Sequence, residues 1–134
     1  MKRKVVNLSE TPEAAQDLPL SHAVVAGDLV FTSGWVGYEL DTSEVPEGIQ
    51  AQTEQTLENL KAVLEAAGTT LDRVVKVTVY LKNVGDFRAM NQVYRRYFPK
   101  DPPARTTIGA GALADPALLV EIEMVAALPD VHVA

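Results

Sequence analysis

The pattern of apolar and polar positions divides the chain into short strands and two helices. Strand patterns cover residues 2–8, 74–81, 104–109 and 118–128. Two β-rich runs on either side of Gly27-Asp28 predict a hairpin over residues 23–34. In strand 74–81, Val75, Val77, Val79 and Leu81 are expected on the core face, and Lys76, Thr78 and Tyr80 on the other.

Apolar residues at three- and four-residue steps predict helices over 49–67 and 85–98. Gly68 is expected to end the first helix, and Asp86 to be the N-cap of the second. The polar, proline-containing stretches 9–21 and 39–48 are predicted to be loops. The order β-ββ-α-β-α-β-β, without an internal repeat or linker, predicts one α+β domain with both helices on one face of a sheet.

The other face of this sheet is predicted to be polar. In the last strand, apolar residues alternate with Glu121 and Glu123, so both carboxylates point away from the helix-covered core. If strand 104–109 pairs with the last strand, this second face carries six polar side chains: Lys76, Thr78, Arg105, Thr107, Glu121 and Glu123.

The polar face has two interpretations that spacing alone leaves open. The first is a solvated surface with cross-strand ion pairs, each of which contributes little to stability. The second is a carboxylate-binding site. The guanidinium of Arg105 would accept a carboxylate through two parallel hydrogen bonds. A neighbouring glutamate would then orient or deprotonate a water molecule.

Composition narrows the classes of function. A net charge of −6 and a pI of about 4.8 disfavour nucleic-acid binding. The chain has no cysteine, and His22 and His132 lie too far apart in sequence for a metal-ligand spacing, so we expect neither a metal nor another cofactor. No signal or membrane-spanning pattern is present, which predicts a cytoplasmic protein. We expect His22 to satisfy local backbone groups rather than to titrate in a pocket, and His132 has no assigned role.

The last third of the chain carries a family resemblance. Residues 102–107 (PPARTT) and 120–126 (VEIEMVA) resemble the C-terminal signature of the RidA/YjgF family, also called endoribonuclease L-PSP or reactive-intermediate deaminases. Residues 26–34, the helix from Gln52 to Gly68, and Asp86-Phe87 leading to Asn91 agree with it, so the match runs from about residue 18 to 127.

This resemblance implies a fold, an assembly and a reaction. The fold would be the chorismate-mutase-like α+β fold, a six-stranded, mostly antiparallel sheet with two helices on one face. The assembly would be a homotrimer with active sites between subunits. The reaction would be the hydrolysis of 2-imino or enamine acids to 2-oxoacids and ammonia. By the same resemblance, Arg105 would bind the substrate carboxylate and Glu121 would position the attacking water. The residues implied to line or support the pocket are Ser33, Gly34, Asn91 and, through its backbone, Thr107.

The sequence departs from the family pattern at two pocket positions. Leu20 stands where the family's deaminases usually carry tyrosine, and Trp35 where glutamine is common. We expect both residues to contact the substrate, and both would favour a substrate with a larger apolar side chain. These changes keep open a non-catalytic, small-carboxylate-binding or regulatory trimer. An endoribonuclease or translation inhibitor is the weaker alternative, because the chain is acidic.

Overall fold

The computed structural model describes residues 2–9, 11 and 17–130, so His132 and part of the predicted loop 9–21 lie outside the described residues. Within this part of the chain there are six strands: β1 (Arg3–Val6), β2 (Ala23–Ala26), β3 (Leu29–Thr32), β4 (Val74–Leu81), β5 (Ala104–Gly109) and β6 (Val120–Ala127). The helices are α1 (Ile49–Ala66) and α2 (Phe87–Tyr97), with short 3₁₀ turns at Leu71–Arg73 and Val84–Asp86. The predicted order of elements is confirmed.

The strands form one mixed sheet in the order β1-β2-β3-β6-β4-β5. The β2–β3 hairpin turns at Gly27, whose φ of 61° lies in the left-handed region that glycine adopts without strain. β4 and β5 pair in parallel, and every other strand pair is antiparallel. Helix α2 provides the crossover connection that parallel neighbours require. β5 and β1 are the edges of the sheet.

Both helices cover the same face of the sheet, as the sequence predicts. The apolar stripe of α1 packs on alternate residues of β3, β4 and β6, and this contact forms the core. The core side chains that are fully buried include Val30, Leu57, Leu60, Val63, Leu64, Val77, Val79, Val120 and Ile122. We call this side the helix-covered face. Glu121 and Glu123 alternate with buried residues of β6 and lie on the opposite side, the open face.

The prediction that Val75 lies on the core face of β4 is wrong. A β-bulge between Val74 and Lys76 shifts the register against β6. As a result Val74 is buried and Val75 is 48% exposed. From Val77 onward the predicted alternation holds, with Val77, Val79 and Leu81 buried.

The predicted position of Arg105 on the polar face is also wrong. β5 does not pair with β6, because β4 lies between them. The parallel register sets Arg105 beside Val77 and Thr107 beside Val79, so both lie on the helix-covered face. Thr106 therefore takes the place on the open face that the sequence analysis assigned to Arg105 and Thr107. Alternation along a strand identifies which residues share a face, but only pairing decides which face that is.

Two smaller features complete the fold. Asp86 occupies the N-cap position of α2, as predicted, but its side chain makes no capping hydrogen bond because a 3₁₀ turn leads directly into the helix. Over the described ranges, no helix combines the length and the apolar character that crossing a bilayer would need.

Candidate functional site

Glu121 lies at a cavity of about 560 Å³ between β6, the segment after β3, and the loop before β6. We call it the Glu121 cavity. Its walls are largely apolar and include Leu18, Leu20, Trp35, Val36, Ala114 and Leu118. Polar residues also line it: Thr11, His22, Ser33, Tyr38, Asn59, Asp115 and Glu121 itself. The volume falls within the range of roughly 300–1,000 Å³ that small-molecule sites occupy.

The segment 33–35 is fixed against β6 by a short β-bridge. The backbone N–H of Trp35 donates to the Ile122 carbonyl at 2.8 Å, and the Ile122 N–H donates back at 2.9 Å. On the other side, the Ser33 N–H donates to the carbonyl of His22 at 3.1 Å. This bridge places Ser33, Gly34 and Glu121 side by side at the mouth of the cavity.

Glycine at position 34 leaves room for the carboxyl group of Glu121 as it is placed here. A Cβ atom at position 34 would overlap the Oε2 and the carboxyl carbon of Glu121. The absence of a side chain therefore lets the carboxyl group lie directly against the backbone. The close contact is a structural reason for glycine at this position, where the backbone does not adopt a positive φ.

The surroundings of Glu121 make its ionisation less favourable than in water. Burial raises the pKa of Glu121, and the negative charge of Glu123, two residues along the same face, raises it further. Glu123 in turn accepts a hydrogen bond from the hydroxyl of Tyr80, which stands opposite Glu121 on β4. A carboxylate with a raised pKa is a stronger base than an ordinary glutamate, which suits it to accept a proton from water.

His22 is held as a structural group at the back of the cavity. Its Nδ1 accepts a hydrogen bond from the Leu8 N–H at 2.8 Å, which leaves the proton of a neutral ring on Nε2. Its ring meets the Trp35 ring edge-on at 4.9 Å, and burial lowers its pKa. The backbone contact agrees with the expectation for this histidine, although its side chain does reach the cavity wall.

Two buried polar residues of α1 hold the loops that form the cavity. The amide of Gln52 donates to the Ala117 carbonyl at 2.9 Å and accepts from the Leu119 N–H at 2.8 Å. The amide of Asn59 donates to the carbonyls of Val36 and Tyr38 at 3.0 and 2.8 Å. The helical pattern did not indicate their burial, because an apolar periodicity treats both as surface residues.

Arg105 lies in a separate cleft on the helix-covered side of β5. This Arg105 cleft is lined by Asn91, Tyr94, Arg95, Phe98, Pro102, Pro103 and Arg105. The guanidinium stands over the ring of Tyr94, 4.6 Å from its centre, and 5.6 Å from that of Phe87. No carboxylate within residues 2–9, 11 and 17–130 pairs with it. The two aromatic rings hold the guanidinium in place.

The Arg105 cleft contains two buried polar atoms without a partner in the described part of the chain. They are the Oδ1 of Asn91 and the hydroxyl oxygen of Tyr94. Burial raises the pKa of Tyr94 to about 12, against the opposing effect of the nearby guanidinium. Buried polar atoms normally have a hydrogen-bond partner, so such a pair beside an arginine that has no carboxylate partner is a feature of ligand sites. Tyr94 lies three residues after Asn91 on α2. This spacing of about one helical turn could have predicted that the two side chains lie together.

The sequence-predicted residues thus fall into two groups. The structure gathers Leu20, Ser33, Gly34, Trp35 and Glu121 in the Glu121 cavity. It places Asn91 and Arg105 together in the Arg105 cleft. Thr107 shares the face of Arg105 but lines neither space. Nothing in the sequence indicated Tyr38 and Asp115 at the far end of the cavity, where the hydroxyl lies 3.5 Å from the carboxylate.

Comparison with known proteins identifies the family of the chain. The model of the family described as Endoribonuclease L-PSP matches residues 10–128. A RutC family protein of Pyrococcus horikoshii is 46% identical over 109 residues, which are 81% of this chain and 86% of that protein. A 2-iminobutanoate/2-iminopropanoate deaminase of Dermatophagoides farinae is 40% identical over 117 residues, 86% of this chain and 91% of the relative.

Solved structures give the same result for the fold. The crystal structure of E. coli TdcF with bound serine has a TM-score of 0.86 and 30% sequence identity, and the match covers 94% of this chain and 99% of that one. Because the family model matches most of its length, the chain belongs to the Endoribonuclease L-PSP family, the RidA/YjgF family that its sequence resembles.

Proposed function

We propose that this protein hydrolyses 2-imino acids, and the enamines that tautomerise to them, to 2-oxoacids and ammonia. The observation that carries the proposal is Glu121, a half-buried carboxyl group with a raised pKa at the mouth of a mostly apolar cavity. A relative named as a 2-iminobutanoate/2-iminopropanoate deaminase supports the same chemistry. The serine bound to TdcF supports a site for a small amino-acid-like molecule.

The chemistry needs a positioned water molecule and a place for the proton. The imine carbon is already electrophilic, so water held against it by Glu121 attacks to give a carbinolamine. Glu121 accepts the proton that the water loses and returns it to the nitrogen. The hydroxyl proton of the carbinolamine then passes, again through Glu121, to the same nitrogen. The C=O bond forms as the C–N bond breaks, ammonia leaves, and the 2-oxoacid remains. Atoms balance without a cofactor, since imine and water give ketone and ammonia.

Arg105 is proposed to bind the substrate carboxylate, but from a neighbouring copy of the chain. In one subunit, Arg105 lies on the helix-covered face and Glu121 on the open face, on opposite sides of the sheet. The two groups therefore do not converge on one small molecule within a single chain. A second copy that brings its Arg105 cleft to the Glu121 cavity would complete the site, and would give the unpartnered atoms of Asn91 and Tyr94 something to bind.

The open face supports such an assembly. Apolar side chains stand exposed across it from β1 to β5, with Phe31 at its centre 44% exposed, and Val5, Leu29 and Ile108 to either side. Exposed apolar groups of this kind mark surfaces that other proteins cover. We propose that copies of the chain pack through this face as a homotrimer, with the helices outside.

The deciding experiment measures imine decay and ammonia release. Imines are generated in situ from alanine and leucine, and their decay is followed with and without the protein. Arg105→Ala is expected to lower kcat/KM on the order of a hundredfold, since charged hydrogen bonds contribute about 1.5–3 kcal/mol each. Arg96→Ala, the same change at an exposed position of α2 outside both spaces, is the control and should retain activity.

Two other outcomes lead to different functions. Binding of 2-oxoacids without faster imine decay would replace the enzyme by a small-carboxylate binder, an alternative that the apolar Leu20 favours because it offers the substrate no hydrogen bond. Equal activity in the wild type and Arg105→Ala would rule out the proposed carboxylate anchor. RNA cleavage that survives stringent purification and is lost in Arg105→Ala would instead support the activity in the family's name.

A further inference from the structure

We propose that the Glu121 cavity selects 2-imino acids with a large, branched apolar side chain, of about leucine size, over the three-carbon imine derived from alanine. The inference rests on the proposed function for the identity of the reacting group. It goes beyond that function in naming the substrate class. The argument comes from the size of the cavity, the state of its polar groups and the position of Leu20.

The cavity is much larger than a three-carbon imine requires. Its volume in one subunit is about 560 Å³, and its wall includes Trp35, Leu118, Tyr38 and Asp115 as well as Glu121. A small imine at Glu121 would leave most of this space to water in contact with apolar walls. An apolar substituent that displaces this water buries its own apolar surface and that of the cavity wall, and this burial favours binding.

Most polar groups in the wall are already committed to partners within the chain. The Ser33 hydroxyl donates to the Ser21 carbonyl at 2.5 Å, and the Trp35 indole N–H to the His22 carbonyl at 3.3 Å. The Asn59 amide donates to two backbone carbonyls and accepts from the side chain of Gln55 at 2.9 Å. A polar substituent would lose its hydrogen bonds to water on entering the cavity and would find few free partners in the wall. Binding of such a substituent is therefore disfavoured.

The wall consists of a fixed part and an adjustable part. Trp35 is 8% exposed and held by its β-bridge to Ile122, and Leu118 is 2% exposed, so both belong to the packed interior. Leu20, in contrast, is 51% exposed and contributes an apolar side chain at the rim. Substitution of Leu20 can change the cavity without removing a core contact, which makes it the position to test.

The test measures binding of three 2-oxoacids by calorimetry, so its result does not depend on turnover. The 2-oxoacid derived from leucine is expected to bind on the order of tenfold or more tightly than pyruvate, in line with the discrimination that apolar pockets achieve per added carbon group. The 2-oxoacid derived from asparagine has nearly the shape of the leucine product but a polar amide. It should bind no better than pyruvate, which separates polarity from size.

Leu20→Ala is expected to reduce the preference for the leucine product about three- to tenfold while leaving pyruvate binding unchanged. Val75→Ala, which removes an exposed apolar side chain at the β4 bulge, should change neither. Because the readout is a ratio within one protein, a partly unfolded preparation affects both ligands alike. Equal affinity for the leucine product and pyruvate, or equal affinity for the leucine and asparagine products, would overturn the proposal.

Turnover separates this inference from the proposed function. If the leucine-derived product is preferred but neither imine decays faster, the side-chain pocket stands and the deaminase proposal fails. If both imines decay faster but pyruvate binds as well as the leucine product, the deaminase stands and the pocket assignment fails.

Discussion

Glu121 illustrates how neighbouring residues set the chemistry of one carboxyl group. It lies in a mostly apolar cavity, beside the charge of Glu123, and against the bare backbone of Gly34. The first two features raise its pKa, and the third allows a close approach that any other residue at position 34 would prevent. Such an arrangement makes ionisation of Glu121 unfavourable for the folded state at neutral pH.

We therefore expect Glu121→Gln to be inactive yet more stable than the wild type at neutral pH. The pKa of Glu121 is raised from 4.5 in the folded protein, so folding loses stability as the pH rises above 4.5, and the loss is complete once the pH exceeds the folded-state pKa. Below about pH 4.5 the group is protonated in both states and this penalty disappears. The gain in melting temperature should thus be largest at pH 7–8 and should shrink as the pH falls towards 4.5.

Thermal unfolding of wild type and Glu121→Gln across this pH range provides the measurement. Glu65→Gln, at an exposed position of α1, is the matched control, and its effect on the melting temperature at pH 7–8 should be small. A melting temperature of Glu121→Gln that lies below that of the wild type at pH 7–8 would contradict the assigned environment of the carboxyl group.

At the scale of the elements, local pattern was sufficient to predict most of the fold. The bounds predicted for β4 and β5 are those observed, and the hairpin turns at Gly27 as expected. Both signals are local, since strand alternation and turn chemistry act over a few residues. The bulge at Val75 was not predictable, because it depends on how β4 meets a strand more than forty residues later in the chain.

Helix α1 combines two functions that its sequence pattern does not separate. Its apolar stripe forms the core, while the buried amides of Gln52 and Asn59 bind loop backbone on the cavity side. Polar residues in a helical pattern are normally assigned to solvent. Only the tertiary structure reveals that the amides of Gln52 and Asn59 form hydrogen bonds with loop backbone groups that would otherwise bond to water.

We expect Gln52→Ala to lower the free energy of unfolding by about 2–4 kcal/mol, because it removes two hydrogen bonds and leaves the Leu119 N–H without its acceptor. Loop 110–119 carries Ala114, Asp115 and Leu118 of the cavity wall, so 2-oxoacid binding should weaken as well. Denaturant unfolding gives the first quantity. Amide hydrogen exchange at Leu119, expected to accelerate, reports the loop directly.

Gln50→Ala is the matched control, two residues earlier on the exposed side of the same helix, where the side chain bonds to Gln92. Its effect on stability should remain within about 0.5 kcal/mol. If both variants lose the same stability, or if exchange at Leu119 stays slow in Gln52→Ala, then Gln52 does not hold the loop.

At the scale of the whole molecule, the two candidate halves of the site lie on opposite faces of one sheet. The sequence analysis placed Arg105 and Glu121 on a common face, since strand order is a non-local property that alternation does not encode. The family resemblance brought the same two residues together through a trimer instead. The observed registers separate them within one chain, and this separation favours the second route.

An intersubunit site predicts that two inactive variants restore activity in mixture. Arg105→Ala subunits keep the Glu121 cavity, and Glu121→Gln subunits keep the Arg105 cleft. Every trimer that contains both variants has one interface out of three that joins the two intact halves, so about a third of wild-type imine hydrolysis should return in the mixed species. Co-expression with two different tags and tandem purification yields the mixed species.

The controls are each variant alone and a mixture of Arg105→Ala with itself under both tags, which should stay at background. If the mixed trimers form but remain at background, Arg105 and Glu121 do not act across an interface, because only a site between subunits can be reassembled from two such halves.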